Sequence, residues 1–190
     1  ILNPLKNTIG TILFVLTTLL VSDISAVNAL STNEALILAL SGIIGITIAD
    51  VLFLISLNIL GTSRSAIINT IYSPMVIMLA YFILDESLTF ADIVGGLMIL
   101  LSILYLSFNQ EKSNISNLNK GLIIGILAYS LMALGIIMVK PILNRFSNSI
   151  EMQLWIIVFR LIPGTLLSYV TMSFMIKKKE IILQLSNKKI

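Results

Sequence analysis

The sequence predicts an all-α, polytopic membrane helix bundle. Three observations carry that prediction: an extreme apolar composition, six apolar runs of about bilayer length, and short polar connections between them. Apolar residues make up 57% of the 190 residues and charged residues only 11%, with a mean hydropathy of +1.05. Soluble domains run at roughly 45–50% apolar and about 25% charged. So few charges cannot wet a surface, and the excess apolar area must face lipid. The bilayer is the first expected partner. Cysteine and histidine are both absent. That excludes thiol nucleophiles, disulfides, metal or haem sites built on those residues, and imidazole acid–base chemistry. No cofactor and no metal are expected. The net charge of +3 is small. In a membrane chain its placement reports orientation and gives no reason to expect nucleic acid.

A span needs about 20 apolar residues, because the hydrocarbon layer is about 30 Å thick and a helix rises about 1.5 Å per residue. Six candidates lie along the chain: A at 8–22, B at 35–60, C at 65–84, D at 90–108, E at 119–143 and F at 151–176. Backbone groups in lipid must be satisfied within the segment, so all six read as helices despite their many β-branched residues. Gly61-Thr62-Ser63-Arg64 joins B to C, Asp85 to Thr89 joins C to D, and residues 109–118 join D to E. Connections this short make antiparallel neighbours. Gly42 and Gly45 on B, Gly95-Gly96 on D, and Gly121 and Gly125 on E predict close helix packing, because small residues let backbones approach. Trp155, the only tryptophan, reads as an interface anchor.

Two stretches match at an offset of 154. Lys6-x-x-x-Gly10-Thr11-Ile12-Leu13 opens span A, and Arg160-x-x-x-Gly164-Thr165-Leu166-Leu167 lies in span F. Spans A and F are five helices apart, the spacing of a five-plus-five repeat. On that reading residues 1–110 hold helices 2–5 of a first repeat and 111–190 hold helices 6–7, the start of a second. One helix is then expected before Ile1 and three after Ile190. A start at Ile1 rather than Met, without a signal peptide, fits a fragment.

The stretch from Gly42 to Phe108 resembles the EamA domain of the drug/metabolite transporter superfamily. The resemblance is carried by Gly61-Thr62-Ser63-Arg64-Ser65-Ala66, by Ser73-Pro74 inside span C, by Leu84-Asp85-Glu86-Ser87-Leu88-Thr89, and by Asp92-Ile93-Val94-Gly95-Gly96. This chain has Asp85 where the family usually has Gly, and Lys6 where Arg is commoner. The resemblance implies a secondary transporter of about ten helices in two inverted repeats, moving small metabolites or drugs across the cell membrane by alternating access. It does not name the substrate.

The deep polar residues are the candidates for a substrate path. Asp50 in span B and Arg160 in span F lie well inside apolar runs. A charge at the bilayer centre costs about 2.5–3.5 kcal/mol on insertion scales, and is kept where water, a partner or a ligand meets it. Thr47 and Asn58 are expected on the same face as Asp50. The alternative for Asp50 and Arg160 is a buried structural charge, and a third arrangement pairs the two with each other. As the one deep carboxylate, Asp50 is the candidate for proton coupling. In span C, Ser65, Asn69 and Ser73 recur four apart with Tyr72 beside them, predicting a second polar stripe. Tyr72 either stacks on a flat substrate or packs. Pro74 lacks an N–H and should bend span C near Thr70; Pro163 should add a kink one turn after Arg160. Gln153 and Thr171 extend the polar theme of span F. Glu86 and Asp92 read as solvated turn charges, Glu86 with the option of capping span D.

Other classes fare worse. Intramembrane aspartyl proteolysis needs two facing carboxylates, and only Asp50 is deep. The chain is therefore not expected to be an enzyme. A non-transporting structural or interaction membrane protein is the alternative. Orientation is read from nine cations on one side (Lys6, Arg64, Lys112, Lys120, Lys177, Lys178, Lys179, Lys188 and Lys189) against Lys140 and Arg145 on the other. The positive-inside rule puts the nine in the cytoplasm.

Overall fold

A computed structural model describes residues 2–108 and 115–187. Its helices are α1 (Leu2–Val21), α2 (Thr32–Gly42), α3 (Ala49–Leu60), α4 (Thr62–Asn69), α5 (Tyr72–Leu84), α6 (Phe90–Phe108), α7 (Ile115–Arg145) and α8 (Ile150–Asn187). A 3-10 turn (Ile24–Ala29) comes after α1, and a π-helical segment (Ile43–Ile48) joins α2 to α3. No strand occurs among the described residues. Lys112, Lys188 and Lys189 lie outside the described residues.

Five helical stretches are long and apolar enough to cross a membrane: Asn3–Val21, Thr32–Leu60, Thr62–Leu84, Leu118–Arg145 and Ile150–Phe174. They coincide with spans A, B, C, E and F. Span D falls on α6, a helix of 19 residues, whose described side chains form a shorter apolar stretch, Phe90–Ser102. The polarity pattern is that of a lipid-facing bundle. Leu20, Phe82 and Phe174 point outward, while Thr18, Ser41, Thr47 and Ser56 are fully buried. Lipid gives apolar side chains no reason to cluster inside, so small and hydroxyl residues take the interior.

The ends of these helices are set by local chemistry. Ser31 and Glu34 form a reciprocal cap on α2. Thr89 and Asp92 do the same for α6, with Thr89 N donating to Asp92 Oδ2 at 2.9 Å and Asp92 N to Thr89 Oγ1 at 3.2 Å. Glu86 therefore does not cap span D; it pairs with Lys140 at 2.6 Å. The α5 helix stops at Asp85, which is left-handed at φ 52°. Aspartate tolerates this conformation better than most residues, and glycine takes it without strain.

Pro74 breaks span C where the sequence places the break. Thr70 and Ile71 donate instead to carbonyls three residues back, Ile67 O at 3.1 Å and Ile68 O at 3.0 Å. The proline cannot bond the Thr70 carbonyl, so one tightened turn separates α4 from α5. The α8 helix remains helical through Pro163, and α7 through Pro141.

Long-range packing is dominated by α7 against α3, α5 and the π segment, and by α8 against α1 and α2. Two apolar clusters result. Leu38, Val139, Ile142 and Ile156 form one toward the end that carries Trp155. Leu60, Ile68, Ile71 and Tyr129 form the other toward the end that carries Gly61. Between them lies a waist of glycines and polar groups. Gly121 and Gly125 seat α7 on α3: a Cβ at Gly121 would lie 2.7 Å from Leu60 and one at Gly125 2.7 Å from Ser56 Oγ. Gly95 and Gly96 face open space, so the close packing expected at that pair does not occur among the described residues.

Candidate functional site

The waist is built by three helical spans meeting backbone to backbone. A Cβ at Gly42 would fall 2.0 Å from the Arg160 carbonyl oxygen, and one at Gly164 3.0 Å from the Gly42 carbonyl oxygen. A Cβ at Gly135 would lie 2.9 Å from the Gly45 Cα. Only glycine permits these approaches. Thr47, fully buried, donates to the Gly164 carbonyl at 2.6 Å, and locks the π segment to α8. Its hydroxyl serves helix docking rather than a water-lined stripe.

Asp50 lies four residues past the middle of the Thr32–Leu60 span, about 6 Å at the usual helical rise. It does not pair with Arg160. Its Oδ2 accepts from Lys6 Nζ at 2.7 Å, with the Asp50 side chain 8% and that of Lys6 60% exposed. Asn58 is exposed, whereas Thr47 and Asp50 are buried. Eight residues rotate a helix by about 80° past two full turns, so Asn58 leaves the face that Asp50 occupies.

Arg160 stands about ten residues into α8, roughly 15 Å from the end at Ile150. Its guanidinium occupies the space that side chains would fill at two glycines: Nη2 is 3.0 Å from a Cβ at Gly45 and 3.3 Å from one at Gly135. Its Nε is buried without a hydrogen-bond partner. The Tyr72 phenol, half-buried at the start of α5, lies within electrostatic range of it.

The three residues of the stripe expected on span C do not share one environment. Ser65 is buried with an unpartnered Oγ, whereas Asn69 and Ser73 are exposed. The change falls within α4, between Ser65 and Asn69, ahead of the tightened turn at Thr70–Ile71. In span F, Gln153 binds the Phe146 and Ser147 carbonyls and Thr171 binds the Ser168 carbonyl. Both serve local backbone.

The 154-residue offset has a direct geometric counterpart. The hydroxyls of Thr11 and Thr165 share a hydrogen bond of 2.7 Å. Around it Thr8 meets Tyr169 at 2.7 Å and Ser22 accepts from Trp155 Nε1 at 2.8 Å. The partner numbers fall as α1 rises, so α1 and α8 run antiparallel with the matched threonines at their crossing.

Sequence reasoning missed the inward face of α1. Asn3, Asn7 and Thr18 are buried there, and Asn7 Nδ2 donates to Asn3 Oδ1 at 3.2 Å. Their spacing of four from Asn3 through Asn7 to Thr11 was the available signal. It also missed the ties at the Trp155 end, where Arg145 binds Glu34 at 2.6 Å and the Ala29 carbonyl at 2.8 Å. An apolar cavity of about 410 Å³ opens beside them between α2 and α8, lined by Leu36, Ala39, Trp155, Phe159 and Pro163 among others.

Compared with known proteins, residues 2–108 match the model of the EamA-like transporter family, more than half of the chain. No curated protein and no solved structure gives a significant match.

Proposed function

The chain belongs to the EamA-like transporter family, and from that premise we propose that this multi-pass membrane protein moves a small metabolite or drug by alternating access. The observation that carries the reading is the Lys6–Asp50 ion pair, whose carboxylate lies near the middle of a membrane span. A charge held there at a cost of a few kcal/mol marks a pathway or a relay. The broken helix of span C and the glycine contacts of α2, α7 and α8 supply elements that can shift against one another. Asp50, Arg160 and Tyr72 are the proposed core of the path. Asn58, Asn69 and Ser73 are its proposed flanks, and Thr47, Pro74 and Pro163 shape it. Asp50 is proposed to exchange Lys6 for a proton during the cycle. The chain is read as helices 2–7 of two inverted repeats, in the cell membrane, with the Gly61 end in the cytoplasm.

The test is solute uptake into liposomes with and without a pH gradient. Asp50→Asn is expected to insert and fold but to abolish or uncouple the flux. Normal transport by Asp50→Asn across a pH series refutes the assigned role.

A further inference from the structure

Among the described residues, Arg160 is an intramembrane cation with no anion beside it. The deep carboxylate Asp50 is engaged by Lys6, and Glu34 and Glu86 are engaged at the Trp155 end by Arg145 and Lys140. Asp23, Asp85, Asp92 and Glu151 belong to helix ends and turns. No ion pair joins Arg160 to a described carboxylate. A guanidinium carries five N–H donors and no acceptor, and stays charged. Leaving even one such donor buried and unbonded costs about 1–3 kcal/mol. Yet the bundle makes room for this group, by placing Gly45 and Gly135 where a side chain would crowd Nη2. Its Nε remains without a partner.

We propose that Arg160 anchors an anionic group of the solute, a small carboxylate. This deepens the transporter reading and rests on it. A carboxylate matches the planar fork of a guanidinium in a bidentate pair. It also cancels the charge at the depth where neutralisation is worth most. Lys6, which matches Arg160 at the 154-residue offset in sequence, is itself held by a carboxylate.

The test is thermal unfolding of the purified protein in detergent. The protein is titrated with acetate, lactate, succinate and glutamate as sodium salts, with sodium chloride and the matching amides as controls. A ligand that binds the folded state raises the midpoint in a saturable way. At least one carboxylate is expected to do so while its amide does not. Arg160→Gln should weaken that binding at least tenfold. Arg160→Lys, which keeps the charge and loses the fork, should weaken it less, and serves if the glutamine variant does not fold. Absence of stabilisation by every carboxylate, or unchanged binding in both variants, refutes the site. Stabilisation only by inorganic phosphate or only by phosphatidylglycerol overturns the carboxylate assignment. The two readings fail separately, because this readout needs no flux. Arginine-dependent binding without solute flux in liposomes sinks the transporter and leaves the anion site. Flux of a neutral or cationic solute that Arg160→Lys leaves untouched sinks the anion site and leaves the transporter.

Discussion

Gly42 and Gly95 provide a paired test of the waist. Both are helical glycines, so replacement by alanine should gain about 1 kcal/mol of helix propensity at each. Their surroundings differ. A Cβ at Gly95 meets nothing within 4 Å, whereas one at Gly42 falls 2.0 Å from the backbone oxygen of Arg160. A normal carbon–oxygen contact is above about 3 Å, so α2 and α8 must separate by roughly 1 Å at their crossing. The obstacle is backbone, not a side chain that can swing away. Overpacking of this kind costs about 1–3 kcal/mol, and a rigid obstacle belongs at the upper end. With the propensity gain set against it, Gly42→Ala should lose about 2 kcal/mol and Gly95→Ala should gain up to about 1 kcal/mol. Unfolding of each variant in detergent, by heat or denaturant, measures the difference. The displacement also moves Arg160, so Gly42→Ala should bind solute more weakly than Gly95→Ala. Equal stability of the two variants would refute the backbone contact and the docking of α2 on α8.

The Lys6–Asp50 pair should be asymmetric. Lys6→Ala strands a buried carboxylate and should cost about 2–4 kcal/mol, toward the range for broken buried pairs, whereas Asp50→Asn leaves a largely exposed lysine and should cost about 1 kcal/mol or less. In a double-mutant cycle the two should couple, and additive losses count against the pair. Asp85→Gly should stabilise by up to about 1 kcal/mol, because it removes a Cβ from a left-handed backbone, and a lower unfolding midpoint contradicts that account. Single cysteines in this cysteine-free chain should label with a soluble thiol reagent at Asn69 and Ser73 but not at the fully buried Thr47, and equal labelling of all three removes the proposed flanks. For orientation, an impermeant reagent applied to intact cells should label cysteine at Ser31 and spare cysteine at Ser63; the reverse pattern inverts the proposed topology without touching the family assignment.

The membrane class, the span positions, the break ahead of Pro74 and the family were all legible in the amino-acid order. These depend on composition, on run length against bilayer thickness, and on proline's missing N–H, all of which are local. Asp50 and Arg160 were also marked as costly there, because a charge in lipid is conspicuous in any chain. Which groups meet was left to tertiary packing. Pairing Asp50 with Arg160 is reasonable from depth alone, but depth does not specify azimuth. The π segment between α2 and α3 and the tightened turn at Thr70–Ile71 each change the rotation of the helix beyond them. A spacing that crosses such a point therefore does not fix a face, and even within the unbroken α3 the eight residues from Asp50 to Asn58 turn it by about 80°. The partnership of Lys6 with Asp50 arises because α1 packs where the first connection leaves it, 44 residues away in sequence. The contact of Thr11 with Thr165 depends likewise on the crossing of α1 and α8. The two stretches meet there because α1 and α8 lie against each other, and which helices become neighbours is decided by packing across the bundle, which local residue order does not specify.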